Sequence, residues 1–555
     1  MEDPSLLQLS QNLLSQISEG ARRVSADNLP LVEDVLVKAL CRLRYRMNAV
    51  CRINQFPIEI LGLIFHFALD PLEEDYEIWP ISESSMLSTT ELVNITRVCH
   101  LWHDIAIGTP SLWTTISKFN HGPYATALQR SRNALLKVQI DYDAPKTFYD
   151  MFISDITIRR IQELHVYLLD ISEYPRARCF CFPAPNLKIL SLLEVESTKD
   201  GTRPLLFHGD TPRLTSLLLD TVGFLPSNRF EALTQLSIRS LYSSPETPIN
   251  LLDVTAFLSG CPRLEELMID EFVVDMQPRN ATLHVPSLAY LRRMTIDSAQ
   301  EAGMALASWL MTHANRSEGV AVRILDQNSF PIQSDFSSTY GTSFEGLHTL
   351  DVRIGYQYEW NLIATAFNDV SGIRVERSYS HERPFLLRDW PLAHVRELRI
   401  RGSEDVREGT GFETLLSPLV SLTSLVVHLD YPCKKGKPSV LHVLATPRNS
   451  RLLCPNLATV RIIAEHASVV EDIAEGGASV VDDIIALAMI RAEYKHSLHA
   501  IVLEFARRHE DMLTRLKALD AYVDSVQVVP CGPHEDQWPA VCTEGSAPEL
   551  FWPAL

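Results

Sequence analysis

Positive charge is in short supply in this chain: 50 lysines and arginines stand against 69 aspartates and glutamates, a net charge of −19. Binding to phosphate backbones needs a basic face, so the balance weighs against general nucleic-acid binding. It weighs equally against docking on an anionic membrane. The one basic cluster, Lys434, Lys435 and Lys437 around Gly436, reads as a solvated loop. Cysteine is scarce too: ten in 555 residues are too few for a disulfide scaffold. There is no C-x-x-C pair and hence no zinc ribbon, and Cys179-Phe180-Cys181 reads as a loop or strand edge. No uncharged apolar run reaches the roughly 18 residues of a membrane helix. The opening Met-Glu-Asp-Pro-Ser lacks the basic start and apolar core of a signal peptide. The N-x-S/T triplets at Asn94, Asn280 and Asn315 therefore carry little weight. The chain is expected to be reduced and intracellular, in the cytoplasm and/or nucleus, with no nucleic acid and no membrane among its partners.

Catalytic signatures are equally missing. No Walker loop, G-x-S-x-G elbow or H-E-x-x-H helix occurs. Gly409-Thr410-Gly411 and Gly476-Gly477 are loop turns, and His509-Glu510-Asp511 lacks its second histidine because Leu513 stands there. Asp141 and Asp143 follow an apolar strand at 135–140 and read as its exposed end. No two of the 18 histidines lie four apart, as a helical metal pair would. The expectation is a protein that is not an enzyme, with no catalytic residue, metal site or cofactor.

What the chain does have is apolar surface: 46% of residues are hydrophobic and 21% charged, which excludes disorder over most of its length. At about 150 residues per domain, the length suits about three or four units or one repeat array. Residues 1–52 carry two amphipathic stretches. Leu6, Leu7, Leu13, Leu14 and Ile17 form the first; Val32, Val35, Leu36, Leu40 and Leu43 form the second, after a turn at 27–30. They predict a short helical hairpin or a helix packed on the next domain, with heptads too broken for a long coiled coil.

Residues 53–116 predict three short helices. Pro57 opens the first, in which Ile60, Leu61, Leu63, Ile64, Phe65 and Phe67 leave only Glu59 and His66 strongly polar. That is too apolar for a helix with one face in water. An exposed loop is expected at 70–90. A second helix follows, with a stripe of Leu92, Ile95, Cys99, Trp102 and Ala106 widened by Val98 and Ile105. His100 and His103 lie off that stripe and read as surface or interface residues. Thr109-Pro110-Ser111 predicts a third helix start, with Leu112 and Trp113 just inside. Three such helices cannot cover their own apolar surface, so the rest of the chain or a partner must.

Residues 117–160 read as a helix–strand connector. From 161 to 529 a motif of the form (Leu/Val)-x-x-(Leu/Ile/Val)-x-(Leu/Ile/Val) recurs nine times, its first apolar residue at Leu187, Leu214, Leu233, Leu264, Leu347, Val395, Leu422, Leu457 and Leu498. Pro185, Pro212, Pro262 and Pro455 each precede a copy by two residues. The pattern is a turn and then a strand with alternate residues inward, burying its apolar face only against a neighbouring copy. Helices are expected between some copies, at 251–260 and 482–494, giving a curved parallel α/β solenoid. A last helix and strand are expected at 508–529. Outward positions are expected at Lys188, Thr215, Thr234, Glu265, His348, Arg396, Thr423 and Thr459, a mixed polar set suited to a protein or peptide, with a basic segment the guess for what docks. Residues 530–555 are expected to be an extended proline-rich tail, with Phe551 and Trp552 either pinning it to the body or docking elsewhere.

Phe56-Pro-Ile-Glu-Ile-Leu-Gly-Leu-Ile-Phe65, Val98-Cys-His-Leu-Trp-His-Asp-Ile-Ala106 and Pro110-Ser-Leu-Trp113, in that order, resemble the F-box pattern L-P-x-E-I-L-x-x-I-F, V-C-R-x-W-R-x-I-A and P-x-L-W. Phe56 replaces the usual Leu, His100 and His103 replace arginines, and the 70–90 loop is longer than in the compact form. With irregular leucine-rich units downstream, the whole resembles fungal F-box proteins. The resemblance implies an α/β chain: a three-helix F-box domain at 53–116, then a leucine-rich-repeat-like α/β solenoid. It implies a substrate-recognition subunit of an SCF-type (cullin-RING) ubiquitin ligase. Its F-box would bind a Skp-type adaptor, and through it a cullin, while the repeats bind an unknown protein substrate. Mapped on the motif, Pro57, Leu61, Ile64, Phe65, Val98, Trp102, Leu112 and Trp113 would lie at or beside the adaptor interface, and Ile60, Cys99 and Ile105 in the F-box core. The alternative is a leucine-rich scaffold whose F-box-like helices only cap the solenoid.

Overall fold

The computed structural model describes residues 4–20, 28–69, 89–117, 124–140, 155–167, 180–195, 203–239, 249–270, 274–275, 286–297, 306, 309–310, 315–316, 319–326, 346–354, 360–379, 392–402, 410–429, 439–448, 451–464, 480–505, 510–531 and 538–543. The 70–88 part of the expected loop, the three lysines near Gly436, Asp141, Asp143, Gly409, Gly476, Gly477, His509, Phe551 and Trp552 lie outside them. The architecture is mixed α/β, with helices N-terminal and a long, mostly parallel sheet after them. The chain divides into two compact units, one within residues 1–137 and one taking in 138–555.

The first unit contains α1 (Pro4–Gly20), α2 (Leu29–Val50), α3 (Ile58–Phe67), α4 (Thr89–Thr96), α5 (His100–Gly108) and α6 (Tyr124–Arg130). Its core comprises Leu61, Phe65, Leu69, Leu92, Ile95, Ile105, Ala106, Leu112, Trp113 and Ala127. Two details differ from the sequence reading. The second helix is broken in two: Thr96 turns its hydroxyl onto the Val93 carbonyl at 2.7 Å, and Cys99 is fully extended at φ −161°. The third is only a 3-10 turn, Pro110–Trp113, because Thr109 bonds backward to the Ile105 carbonyl at 2.7 Å instead of capping forward. Both N-terminal helices form, and none of α2's residues is fully buried.

In the second unit each of the nine motif copies begins a strand. The main strands are β1 (Ile161–Tyr167), β2 (Ile189–Leu193), β3 (Ser216–Asp220), β4 (Gln235–Arg239), β5 (Glu266–Asp270), β6 (Arg293–Asp297), β7 (Ala321–Asp326), β8 (Thr349–Ile354), β9 (Trp360–Phe367), β10 (Gly372–Tyr379), β11 (Glu397–Gly402), β12 (Ser424–His428), β13 (Thr459–Ala464), β14 (Ala500–Phe505) and β15 (Ser525–Pro530). The local cause is a repeated turn. The first apolar residue donates its N–H three residues back: Leu187 to Ala184, Leu214 to Thr211, Leu264 to Cys261, Leu457 to Cys454. Each of the four prolines is thus the second residue of a β-turn, where its fixed φ is favourable. The next carbonyl, as at Lys188, Thr215, Thr234, Arg396 and Thr423, accepts two N–H groups of the following unit. These positions, expected on the outer face, sit in the entry turns, and the outer face begins at the residues after them. One copy escapes the motif because Met stands at its second apolar position: Leu291-Arg-Arg-Met294-Thr-Ile296, which forms β6.

Strands β1 to β7 pair in parallel, each with the next, and so do β11 to β15. Between them the purely parallel expectation fails. β7 pairs with β10, β10 and β8 flank β9 antiparallel, and β8 pairs in parallel with β11. Leucines such as Leu190, Leu217, Leu236, Leu267, Leu350, Leu398 and Leu425 are buried on the inner face. Each such burial stabilises by about 1.5–3 kcal/mol. Helices α7 (Leu251–Ser259), α8 (Thr410–Leu416), α9 (Val440–Ala445), α10 (Val480–Glu493) and α11 (Glu510–Leu516) occupy the connections, α7, α10 and α11 within about two residues of the reading.

Candidate functional site

Helix α3 carries two apolar stripes. Pro57 precedes it with ψ 147°, its carbonyl taking the N–H groups of Ile60 and Leu61, and Glu59 sits in the first turn where the helix dipole favours a carboxylate. One stripe, Leu61, Ile64, Phe65 and Leu69, turns inward. The other, Phe56, Ile60, Leu63 and Phe67, follows the same three-and-four spacing on the far side and is 51%, 41%, 54% and 84% exposed. Val98 and Leu101 add exposed apolar surface. A second stripe on one short helix has no use in the unit's own core and is the composition of a docking face.

Of the residues expected at the adaptor interface, Pro57 and Val98 are exposed, while Ile64 and Trp102 are half-buried. Leu61, Phe65, Leu112 and Trp113, expected at or beside that interface, are in the interior of the unit. Ile60, expected in the core, is outside. The cause is phase, because positions 61 and 65 make as good a helical stripe as 60, 63 and 67. Ile105 is buried as expected and Cys99 is half-buried. Trp113 donates its indole N–H to the Ala106 carbonyl at 2.8 Å and lies 4.3 Å under the Arg130 guanidinium. Trp102 packs on Phe65 with ring centres 4.8 Å apart and donates to Asn54 Oδ1 at 2.7 Å; Asn54 in turn donates to the Asn48 carbonyl. Asn54 is a positioning residue no motif flagged. His100 and His103 are exposed, and His103 Nδ1 lies 3.3 Å from Asp104.

The outer face of the sheet is different chemistry. Arg323 grips Glu376 with two bonds, at 2.8 and 3.0 Å; Arg239 reaches Asp270 at 3.1 Å, and Arg461 reaches Glu504 at 2.6 Å. Arg293 pairs with Glu266, both buried. Burial pushes Arg374 down to about 10 although Glu376 opposes the shift. Among the described residues of this face acids and arginines thus match one another. His165 Nδ1 lies 3.0 Å from Ser191 Oγ, a pairing the sequence could not announce across 26 positions. Burial holds His165 down at about 4, and Ser191 is wholly inside, so this hydroxyl has no access to a substrate. Among the described residues no group of three or more His, Cys, Asp or Glu is placed to hold a metal ion. None of their helices is long and apolar enough to cross a membrane.

The tail segment also meets this face. Trp538 packs edge-on against Phe367 with ring centres 5.1 Å apart, the Arg353 guanidinium lies 5.6 Å from its ring, and Cys542 is fully buried beside Ala321. Burial pushes the Cys542 thiol up to about 12. The segment 538–543 is therefore pinned, through Trp538 and Cys542. Beside it opens a cavity of about 620 Å³ whose lining mixes Arg396, Glu397, Thr423 and Ser424 with the two aromatic rings.

No curated protein matches the chain in a sequence comparison. The helices α3 to α5 and the turn after them do have a recognisable kinship: residues 53–118 match the family model described as F-box-like.

Proposed function

We propose that this protein is a substrate-recognition subunit of an SCF-type cullin-RING ubiquitin ligase. The F-box-like segment holds a Skp-type adaptor, and through it a cullin. The second unit acts as a leucine-rich-repeat-like solenoid that holds a protein substrate. The observation that carries the reading is the outward stripe Phe56, Ile60, Leu63 and Phe67 within the segment that matches the F-box-like family. A partner that buries it removes apolar surface from water at about 25 cal/mol per Å². The chain itself performs no bond chemistry. It raises the effective concentration of a substrate lysine near a charged ubiquitin-conjugating enzyme, and it does so in the cytoplasm and/or nucleus. The mixed, ion-paired outer face suits a folded protein or peptide.

Co-expression with a Skp-type adaptor and size exclusion tests the reading: co-elution is expected, and separate elution of folded partners overturns it. The scaffold reading, in which the helices only cap the solenoid, draws on Leu61, Phe65, Leu112 and Trp113 being internal. It requires that substitutions in the outward stripe leave adaptor behaviour unchanged.

A further inference from the structure

Helix α2 is 22 residues long, and none of its residues is buried. Short helices in water draw most of their stability from packing an apolar face, so a helix with no buried residue lacks its main support. The face is there. Leu29, Val32, Leu36, Leu40, Leu43, Met47 and Val50 follow one another at steps of three and four, and every one except half-buried Leu36 is exposed. The stripe mirrors itself about its midpoint. Leu29 answers Val50, Val32 answers Met47, and Leu36 answers Leu43 at equal distances from the centre. Helical phase sets Glu33 and Arg44 on the same flank of the stripe, while Asp34 and Lys38 pair with each other on the opposite face at 2.6 Å. The charges along the helix are polar as well: Glu33 and Asp34 come first, and Lys38, Arg42, Arg44 and Arg46 follow.

We propose that α2 is a self-association helix that pairs antiparallel with α2 of a second copy of this chain. In that arrangement like flanks meet, so Glu33 of each copy lies opposite Arg44 of the other, and the mirrored pairs 29/50, 32/47 and 36/43 give apolar layers on both sides of the centre, where Leu40 comes opposite Ala39. A parallel pair would set Arg44 and Arg46 beside their own counterparts. Helix α1 is a poorer occupant, since Glu19 is its one charged residue and it offers nothing to Arg44 or Arg46. Exposed ion pairs of this kind contribute little energy each, but they select direction, while the leucines supply the attraction. The proposal is independent of adaptor binding, because it uses none of the residues 53–118.

The full-length chain, measured by sedimentation equilibrium over a dilution series, is expected to be in a monomer–dimer equilibrium. The pair Leu40→Glu and Leu43→Glu, both exposed and so neutral to folding, is expected to leave monomer only. Glu33→Lys or Arg44→Glu alone is expected to weaken the dimer severalfold, and the two together to restore it. Direction is read separately by oxidation of Leu36→Cys and Leu43→Cys chains. A mixture of the two should cross-link 36 to 43 while neither chain links to itself at those positions. A monomer at every concentration overturns the proposal, as does a dimer that survives the two glutamates. Self-linking at 36 or 43 overturns the antiparallel arrangement.

Discussion

Phe67 in the helical unit and Leu350 in the sheet unit are both large apolar residues on regular elements, yet the first is 84% exposed and the second wholly buried. The difference runs through the two regions. The strands of the sheet turn one apolar row inward, against neighbours that its own repeats supply, and several of them, among them β4 to β7, β10, β13 and β14, turn arginines and carboxylates that pair with one another outward. Its exposed apolar residues among those described, such as Leu205, Tyr290 and Val420, stand singly. The helices instead keep apolar stripes outside on α2 and α3, where nothing in their own unit covers them. Surplus apolar surface grouped in stripes marks a region that is completed by association. A region with matched ion pairs is complete, and binding there relies on shape and polar contacts.

The sharpest way to break this comparison uses two residues on one helix. Phe65→Ala should destabilise the helical unit by about 3–5 kcal/mol, since it empties a packed interior. Phe67→Ser should change its stability by less than about 0.5 kcal/mol. Hydrogen exchange of α3 to α5 measures both, and equal effects would erase the distinction between the stripes.

Next in size is the effect on association. Phe67→Ser with Leu63→Ser should weaken Skp-type adaptor binding by about tenfold or more at unchanged stability, a loss of at least about 1.4 kcal/mol. Titration calorimetry reads it. Trp113→Ala should lose folding and binding together, because its indole anchors α5 and the turn after it from inside. If Trp113→Ala loses binding alone, the interior position of that ring is wrong.

Much of this was legible in the residues, unevenly and for physical reasons. The nine motif copies begin nine strands because turn and alternation are local properties, and four prolines advertise the turn. The excursion β8–β9–β10 was not legible. Leu347 to Val352 announces a strand, but its hydrogen-bond partners are chosen by chain segments far away. The surplus of apolar residues at 58–67 was plain, whereas which stripe faces inward was not, because residues 60, 63 and 67 and residues 61 and 65 fit a helix equally well. A missed signal was recoverable: allowing Met in the motif would have found β6. Asn54, which holds the Trp102 indole from 48 positions away, gave no such sign.

A smaller effect separates the units by pH. His165 is neutral in the fold, held at about 4, against about 6.5 in an unfolded chain. Between those values the unfolded state binds more protons. The stability this contributes is therefore full above about pH 6.5 and is lost as pH falls toward about 4. The slope is at most about 1.4 kcal/mol per pH unit. Denaturant unfolding of the sheet unit should show that slope and His165→Asn should flatten it.

The smallest effect concerns a place where the ion-paired face of the sheet accepts an apolar side chain. Trp538 rests on Phe367 and beneath Arg353, and it holds the segment through Cys542 against Ala321. An aromatic pair of this kind is worth about 0.5–1.5 kcal/mol beyond its buried area. Trp538→Ala should therefore leave the strands intact and release the tail locally. The Cys542 thiol reports it, since burial holds it at about 12 and out of reach of alkylating reagents. Labelling of Cys542 should rise severalfold in the variant, while that of Cys261, buried under α7, stays slow. Fast labelling of Cys542 in the unsubstituted chain would mean that the tail is not held.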